Sequence, residues 1–455
     1  MRLFLFVISF FSFIFNESGD QKKYESINSV FPLNWKTKMG CASFKSNVIF
    51  VNDNLVIGSN GSQFIDYNLF DRESGVYVIN NKSGKIINHF ANESFGDMDV
   101  NGVKYYNGNL YFGNDNDEFL CTTVKGKIIW RNPTSGDIEH EPALINNNGK
   151  MQIVYACESG EVKAVDCISG NIIWSYYTPD FKAWKPGHNR LLFKVSTFFM
   201  NTGSFYTKPL LEDINNDGVN DLIYLTFDRK IYAISGATGI LLWLYDTDKA
   251  LEYTFFNIGK GDNTLFGFFS AVSDQQFSNN LIFVNNKGKQ ISNKIINSYT
   301  KKDRWYQEMS MSLNFYKHND KSIYISGPDS LTVIDEQGNY TNYLRAEKFT
   351  YTEAFVQNVT SNRNSSESLI GDKLFSFGNE KDCILILNQH DKTNYSKGFI
   401  EIFSLSKKQV LLRLELPASS EMQPVISDVN KDGFLDLLIN CSDGYLYCYN
   451  LKTKS

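Results

Sequence analysis

The sequence lacks a strongly basic tract and any Lys/Arg stripe: 45 basic residues stand against 50 acidic ones, giving a formal charge of −5 at pH 7. Nucleic acid is therefore not an expected partner. Also missing are G-x-S-x-G, H-E-x-x-H and a phosphate-binding loop, which removes the sequence signatures of serine hydrolases, zinc peptidases and P-loop enzymes. The five histidines, His89, His140, His188, His318 and His390, are scattered without paired ligand spacing. His140-Glu141 could line an axial channel, but the pair reads first as a solvated strand end. The seven cysteines form no C-x-x-C, no adjacent pair and no C-x-x-C-H haem site. They read as small buried hydrophobes, with a disulfide Cys157–Cys167 or Cys441–Cys448 left open for an exported chain.

Long apolar runs are equally scarce. One occurs, Leu3–Phe15 behind Arg2, broken only by Ser9 and Ser12. At ~1.5 Å per residue it reaches about two-thirds of the way across a bilayer. Residues 1–18 therefore read as a signal peptide, with a short anchor or buried strand as the alternative. The mature chain is expected to be exported (periplasmic, cell-surface or secreted), monomeric and without a membrane span.

What the chain has is repetition. Ala164-Val-Asp166-Cys-Ile-Ser169-Gly170-Asn-Ile-Ile-Trp174 returns as Ala233-Ile-Ser235-Gly-Ala-Thr238-Gly239-Ile-Leu-Leu-Trp243. The same spacing to the glycine recurs from Val78 to Gly84 and from Leu120 to Gly126, with weaker copies ending at Gly288, Gly338 and Ser406. Each copy alternates apolar and polar residues between glycine turns, the signature of antiparallel strands. A fixed period of this length predicts a closed ring of blades in one domain, residues 31–455, whatever the chain length alone suggests. The last hairpin, Tyr445–Asn450, lacks an outer strand, whereas Leu33–Thr37 has the outer-strand pattern without a blade before it. The fold expected is all-β, an eight-bladed propeller of four-stranded antiparallel blades, with the N-terminal strand closing the ring; seven blades is the alternative, because 345–415 is long and irregular. Trp35, Trp130, Trp174 and Trp243 are expected to pack against glycine turns of neighbouring blades.

The phrase at 164–174 and its variant at 233–243 resemble the repeat of the pyrroloquinoline-quinone-like (PQQ-like) β-propellers. That group includes quinoprotein alcohol dehydrogenases and the non-enzymatic BamB-like propellers of bacterial outer-membrane assembly. The resemblance implies the fold, and leaves a quinone-dependent dehydrogenase as one reading. Against PQQ stand the missing Cys-Cys pair, the missing haem site and a chain short for that enzyme class.

Two segments carry the chemistry of a hard cation: Asp213-Ile-Asn215-Asn-Asp217-Gly218-Val219-Asn-Asp221 and Asp428-Val-Asn430-Lys-Asp432-Gly433-Phe434-Leu-Asp436. Side-chain oxygens at positions 1, 3, 5 and 9, a glycine at 6 and a main-chain carbonyl at 7 (Val219, Phe434) suit Ca²⁺. Tyr224 and Ile439 stand where an EF-hand needs glutamate, so these are not EF-hands. They resemble the calcium loops of FG-GAP or integrin-type propeller repeats, which makes structural calcium the expected cofactor. The metal-free alternative is a hairpin rich in Asx turns. The third equivalent, Pro142–Gln152, has lost every carboxylate.

No catalytic or quinone-binding residue is assigned. The insertions Ser59–Ser74 and Thr178–Phe205 emerge on one face. The second carries Lys182, Lys185, His188, Arg190 and Lys194 among Phe181, Trp184, Leu191, Phe193, Phe198 and Phe199. Basic and aromatic residues on a protruding loop suit a protein or glycan partner. Asn358 and Asn364 begin glycosylation triplets. The expected function is a non-enzymatic interaction scaffold, with an adhesin or glycan-binding protein as a further alternative.

Overall fold

Middle strands such as Asn54–Asn60 and Ser74–Asn80 are buried along almost their whole length, so both of their faces need cover, and stacking blade on blade supplies it. The computed structural model describes residues 24–62, 71–91, 98–181, 205, 207–226, 230–247, 250–273, 277–299, 316–318, 322–326, 330–344, 368–388 and 397–452. The signal segment, the loops at 63–70 and 182–204, and the triplets at Asn358 and Asn364 lie outside these residues.

Eight antiparallel sheets follow one another along the chain. Blade 1 runs Val48–Val51, Asn54–Asn60, Ser74–Asn80, Ile86–Phe90, and blade 2 runs Val103–Tyr106, Asn109–Asn114, Glu118–Thr123, Ile128–Pro133. Blade 3 is Ala143–Asn147, Lys150–Ala156, Glu161–Asp166, Ile172–Tyr177, and blade 4 is Leu210–Glu212, Asp221–Leu225, Lys230–Ile234, Leu241–Asp246. Blade 5 comprises Ala250–Ile258, Leu265–Ser273, Phe277–Asn285, Gln290–Tyr299; blade 6 comprises Tyr316–His318, Ser322–Ser326, Ser330–Asp335, Tyr340–Leu344. Blade 7 has a split inner strand, Ser368–Ile370 and Phe375–Phe377, then Glu380–Asn388, Phe399–Ser404 and Gln409–Glu415. The irregular stretch 345–415 thus supplies one blade of its own, and the count is eight. Among the described residues, helix is confined to Ile27–Val30 and a 3₁₀ turn at Gly261–Asn263.

Blade 8 takes Val425–Ser427, Asp436–Asn440 and Tyr445–Asn450 from the C-terminus and its outer strand, Leu33–Lys38, from the N-terminus. Leu33 pairs with Tyr449 and Lys38 with Tyr445, antiparallel, so the edge of the last sheet is covered and the ring closes.

Among the described residues the core is divided into eight apolar clusters, one at each joint between consecutive blades. Val56, Val76 and Val78 of blade 1 meet Leu110 and Phe112 of blade 2. Trp35 and Leu438 of blade 8 meet Leu55 and Ile57 of blade 1. The same rule runs through the other six joints.

Tryptophan closes the outer end of several joints. Trp35, Trp130, Trp174 and Trp243 pack against Gly84, Gly170, Gly239 and Gly288 of the following blade. Each indole Nε1 donates to a carbonyl of that same turn: Asn81 at 2.8 Å, Cys167 at 3.2 Å, Gly236 at 3.1 Å and Asn286 at 2.8 Å. Phe90 takes the place beneath Gly126 and Phe283 the place beneath Gly338.

Candidate functional site

Antiparallel blades sort their connections between two faces. Segments entering the inner strands share one face with the hairpins between second and third strands; loops joining first to second and third to outer strands share the other. The described ends of the two insertions singled out in the sequence, Ser59–Ser62, Asp71–Ser74 and Thr178–Phe181, belong to the first face, and the two acidic loops to the second.

On the first face, segments leading into blades 1, 2 and 3 converge in a buried polar cluster. Lys45 Nζ forms an ion pair with Glu139 Oε2, with side chains only 9% and 11% exposed. Asn101 Nδ2 donates to the same Glu139 oxygen at 2.8 Å, while Asn101 Oδ1 accepts from Ser43 Oγ at 2.7 Å and from Asn60 Nδ2 at 3.0 Å. Asn440 extends the cluster to blade 8, accepting from the Ala42 amide at 2.7 Å and donating to the Gly40 carbonyl at 2.9 Å. A charge pair taken out of water needs further hydrogen bonds to hold, and Asn101 supplies one to the Glu139 carboxylate.

His140 borders this cluster and corrects the sequence reading of a solvated strand end: it is 2% exposed. Its Nδ1 lies 3.1 Å from the Glu141 carbonyl, to which it can only donate, so Nε2 carries the lone pair and finds no partner among the described residues. Burial depresses the imidazole to a pKa of about 4, against smaller upward contributions from the Glu141 carbonyl and Glu139. Its ring lies 5.9 Å from that of Tyr224. Glu141, partly buried, pairs with Lys104 Nζ at 2.5 Å.

Sequence reasoning missed Ser43, Lys45, Asn60, Asn101 and Glu139. The available signal was weak: polar residues shortly ahead of the inner strands of consecutive blades.

On the second face, the acidic loops join first to second strands in blades 4 and 8, and they fold alike. In the first, Asp213 accepts the amides of Asp217 at 3.2 Å and Gly218 at 2.9 Å, and Asn215 Oδ1 accepts Asp217 N at 2.9 Å. The Val219 amide donates to Asp217 Oδ1 at 2.8 Å. In the second, Asp428 accepts Asp432 N and Gly433 N, both at 3.0 Å, Asn430 Oδ1 accepts Asp432 N at 2.9 Å, and Phe434 N donates to Asp432 Oδ1 at 2.9 Å. Asn216 and Lys431 take the left-handed turn conformation, with φ of 60° and 61°.

The ninth positions differ from the rest. Asp221 and Asp436 are fully buried, and each caps the amide after its loop's first aspartate: Ile214 N to Asp221 at 3.0 Å, Val429 N to Asp436 at 3.0 Å. The other oxygen of Asp221 accepts Gly236 N at 3.1 Å; that of Asp436 accepts Asn34 Nδ2 from the closing strand at 2.8 Å. Burial pushes both carboxyls up to about 6, against the amide hydrogen bonds that pull them down.

As a cation site the loops fit in composition: every side chain offered is an oxygen donor, and Asn215 Nδ2 lies 3.0 Å from Asp217 Oδ2 and 3.5 Å from Asp221 Oδ1. The carboxylates are turned to backbone amides, the Asx-turn arrangement. No group of three or more His, Cys, Asp or Glu side chains stands in a ligand array among the described residues. All seven cysteines are free and buried, Cys157 and Cys441 included.

Residues 72–243 match the family model described as outer membrane protein assembly factor BamB. That segment carries BamB-like repeats, and the chain is an eight-bladed β-propeller. Among solved structures, this propeller is similar to the Dos1 propeller (13% identity, 94% of this chain and 97% of that one, TM-score 0.56) and to Sqt1 of Saccharomyces cerevisiae (10%, 93% and 99%, 0.56). BamB from Moraxella catarrhalis aligns at 12% identity over 92% of this chain and all of that one, with a TM-score of 0.49. No curated protein matches the propeller in sequence. Identities this low speak to the fold, which hosts many functions.

Proposed function

We propose that the protein is a non-enzymatic, exported interaction propeller that binds a protein partner through the face carrying the 59–74 and 178–205 insertions, with calcium bracing the two loops of the opposite face. One observation carries the reading. Lys45, Glu139, Asn101 and Ser43, ionisable and polar groups in the segments that lead into the inner strands of blades 1 to 3, are engaged with one another. Recognition then falls to exposed connections on that face. The BamB-like repeats support a scaffold and export to the cell envelope, and among the described residues no helix is long and apolar enough to cross a membrane.

The test is site-specific photocrosslinking in the native envelope. A crosslinker at Glu73 or Asp180, in the described ends of the insertions, is expected to trap one protein that a crosslinker at Ile87 on the outer rim does not trap. Loss of that adduct on deleting 182–204 places recognition in the loop; equal adducts from face and rim sink the proposal. Native mass spectrometry of the same preparation decides between calcium and a quinone, and a bound quinone would restore the dehydrogenase reading.

A further inference from the structure

Seven joints of the ring share one device. A ring from one blade sits under the third-to-outer turn of the next: Trp35 under Gly84, Phe90 under Gly126, Trp130 under Gly170, Trp174 under Gly239, Trp243 under Gly288, Phe283 under Gly338. At the joint of blades 6 and 7, Lys408 takes the glycine's left-handed conformation (φ 57°) and its Nζ lies 5.3 Å from the Tyr343 ring.

The joint of blades 7 and 8 cannot use the device. Blade 8 has no covalent third-to-outer turn, because its third strand ends at Asn450 and its outer strand begins at Leu33. The chain crosses there as two passing segments, with Asn450 N donating to the Pro32 carbonyl at 2.8 Å. The residue of blade 7 in the tryptophan's register, paired with Ile402 just before the bulge as Trp174 is with Ala164, is Leu412.

We infer that residues 24–31 form a clasp that replaces the missing lock. The segment turns back from blade 8 onto blade 7, and Glu25–Ser26 adds a fifth strand, parallel, to the outer edge: Glu25 beside Leu414, Ser26 beside Glu415. One helical turn follows, started by Ser26 Oγ accepting Asn28 N at 3.4 Å and closed by Phe31 N donating to the Ile27 carbonyl at 2.9 Å. That turn drives Ile27 and Phe31, both fully buried, into the cluster where Leu385, Ile400 and Leu414 of blade 7 meet Leu437 and Tyr449 of blade 8. Phe31 meets Phe377 edge-on at 6.0 Å.

The outer end is held by Arg413. Its guanidinium pairs with the fully buried carboxylate of Glu401 and lies 5.4 Å from the Tyr24 ring and 5.3 Å from Phe399. Nη1 donates to Tyr24 Oη at 3.2 Å, and the two rings are stacked at 5.8 Å. A cation desolvated against aromatic faces and paired with a buried carboxylate is a strong anchor. The clasp thus grips blade 7, whose inner strand is broken, from outside and ties it to the blade that the same segment completes.

The experiment is hydrogen exchange on the full chain. Ile27→Asn and Tyr24→Ala are each expected to speed exchange of amides in 399–415 and 436–450 by about tenfold or more, leaving 143–177 and 210–246 within about twofold of wild type. Trp174→Ala should give the converse pattern, speeding blades 3 and 4. Tyr24→Ala removes no buried core side chain, so it reports on the clasp even where Ile27→Asn fails to fold. Unchanged exchange at 399–450 in Tyr24→Ala, or acceleration spread evenly round the ring, overturns the inference.

Discussion

Trp174 of blade 3 lies so close to Gly239 of blade 4 that a Cβ on the glycine would stand 2.5 Å from the indole Cε3, while its Nε1 reaches the Gly236 carbonyl at 3.1 Å. Gly239 also has a φ of 75°, where a side chain is strained. Gly239→Ala therefore combines overpacking with backbone strain and is expected to cost about 2–4 kcal/mol. Gly218→Ala is the control: its φ is 83°, but a Cβ there meets nothing within 4 Å, so only the strain of about 1–2 kcal/mol applies. Denaturant unfolding of the two variants separates the contributions, and equal losses would remove the indole from the account.

The thiols are predicted to be silent. Burial raises Cys121 to about 11 and Cys41, Cys157 and Cys167 to about 12, and it raises Cys383, Cys441 and Cys448 as well. A thiol held protonated and away from solvent does not attack a disulfide reagent. Ellman's reagent at pH 8 should titrate no thiol in the native protein and seven after unfolding in denaturant. Fewer than seven in the unfolded, unreduced protein would reveal a disulfide formed on export.

How much of this was legible in the sequence depended on whether a residue's task repeats. Trp35, Trp130, Trp174 and Trp243 do one job at four joints, so spacing alone exposed it, and the unpaired hairpin at Tyr445–Asn450 asked for Leu33–Lys38. Lys45, Glu139 and Asn101 each occur once, in segments without period, and only the closed ring brings them together. His140 was misread for the same reason: its neighbours in space, Tyr224 among them, lie far along the chain. Ile27 and Arg413 are separated by nearly the whole chain, and no local pattern links them.

Calcium in the acidic loops predicts a ligand-dependent melt. A metal binding only the folded state at 100 times its Kd stabilises by about 2.7 kcal/mol. Thermal unfolding should therefore shift upward in millimolar calcium relative to EDTA. Asp217→Asn with Asp432→Asn should abolish the shift, since each removes a carboxylate at the fifth position of its loop. Identical melts in EDTA and calcium, with no metal in the native mass spectrum, would leave the loops as Asx-turn hairpins whose carboxylates serve backbone amides alone.

His140 predicts an acid limb of stability. Its folded pKa of about 4 lies below the ordinary imidazole value of 6.5, so between these values the unfolded chain binds the extra proton. Stability from this group is fully present above about 6.5, falls as pH drops toward 4, and the loss is complete below that, amounting to about 3 kcal/mol. Asp221 and Asp436 act in the opposite sense. With folded pKa values raised to about 6, they bind protons more tightly in the folded state and lose stabilisation as pH rises from about 4 to 6. The histidine's share is therefore read as a difference between proteins. His140→Phe cannot titrate and loses the hydrogen bond to the Glu141 carbonyl, which costs about 1 kcal/mol at pH 7.5. Its deficit against wild type should shrink as pH falls below about 7 and reverse sign just below pH 6, leaving the variant the more stable protein near pH 4.5. A gap that stays constant across that range would mean that the native state accommodates the imidazolium, and that Nε2 reaches a proton-sharing partner on acidification.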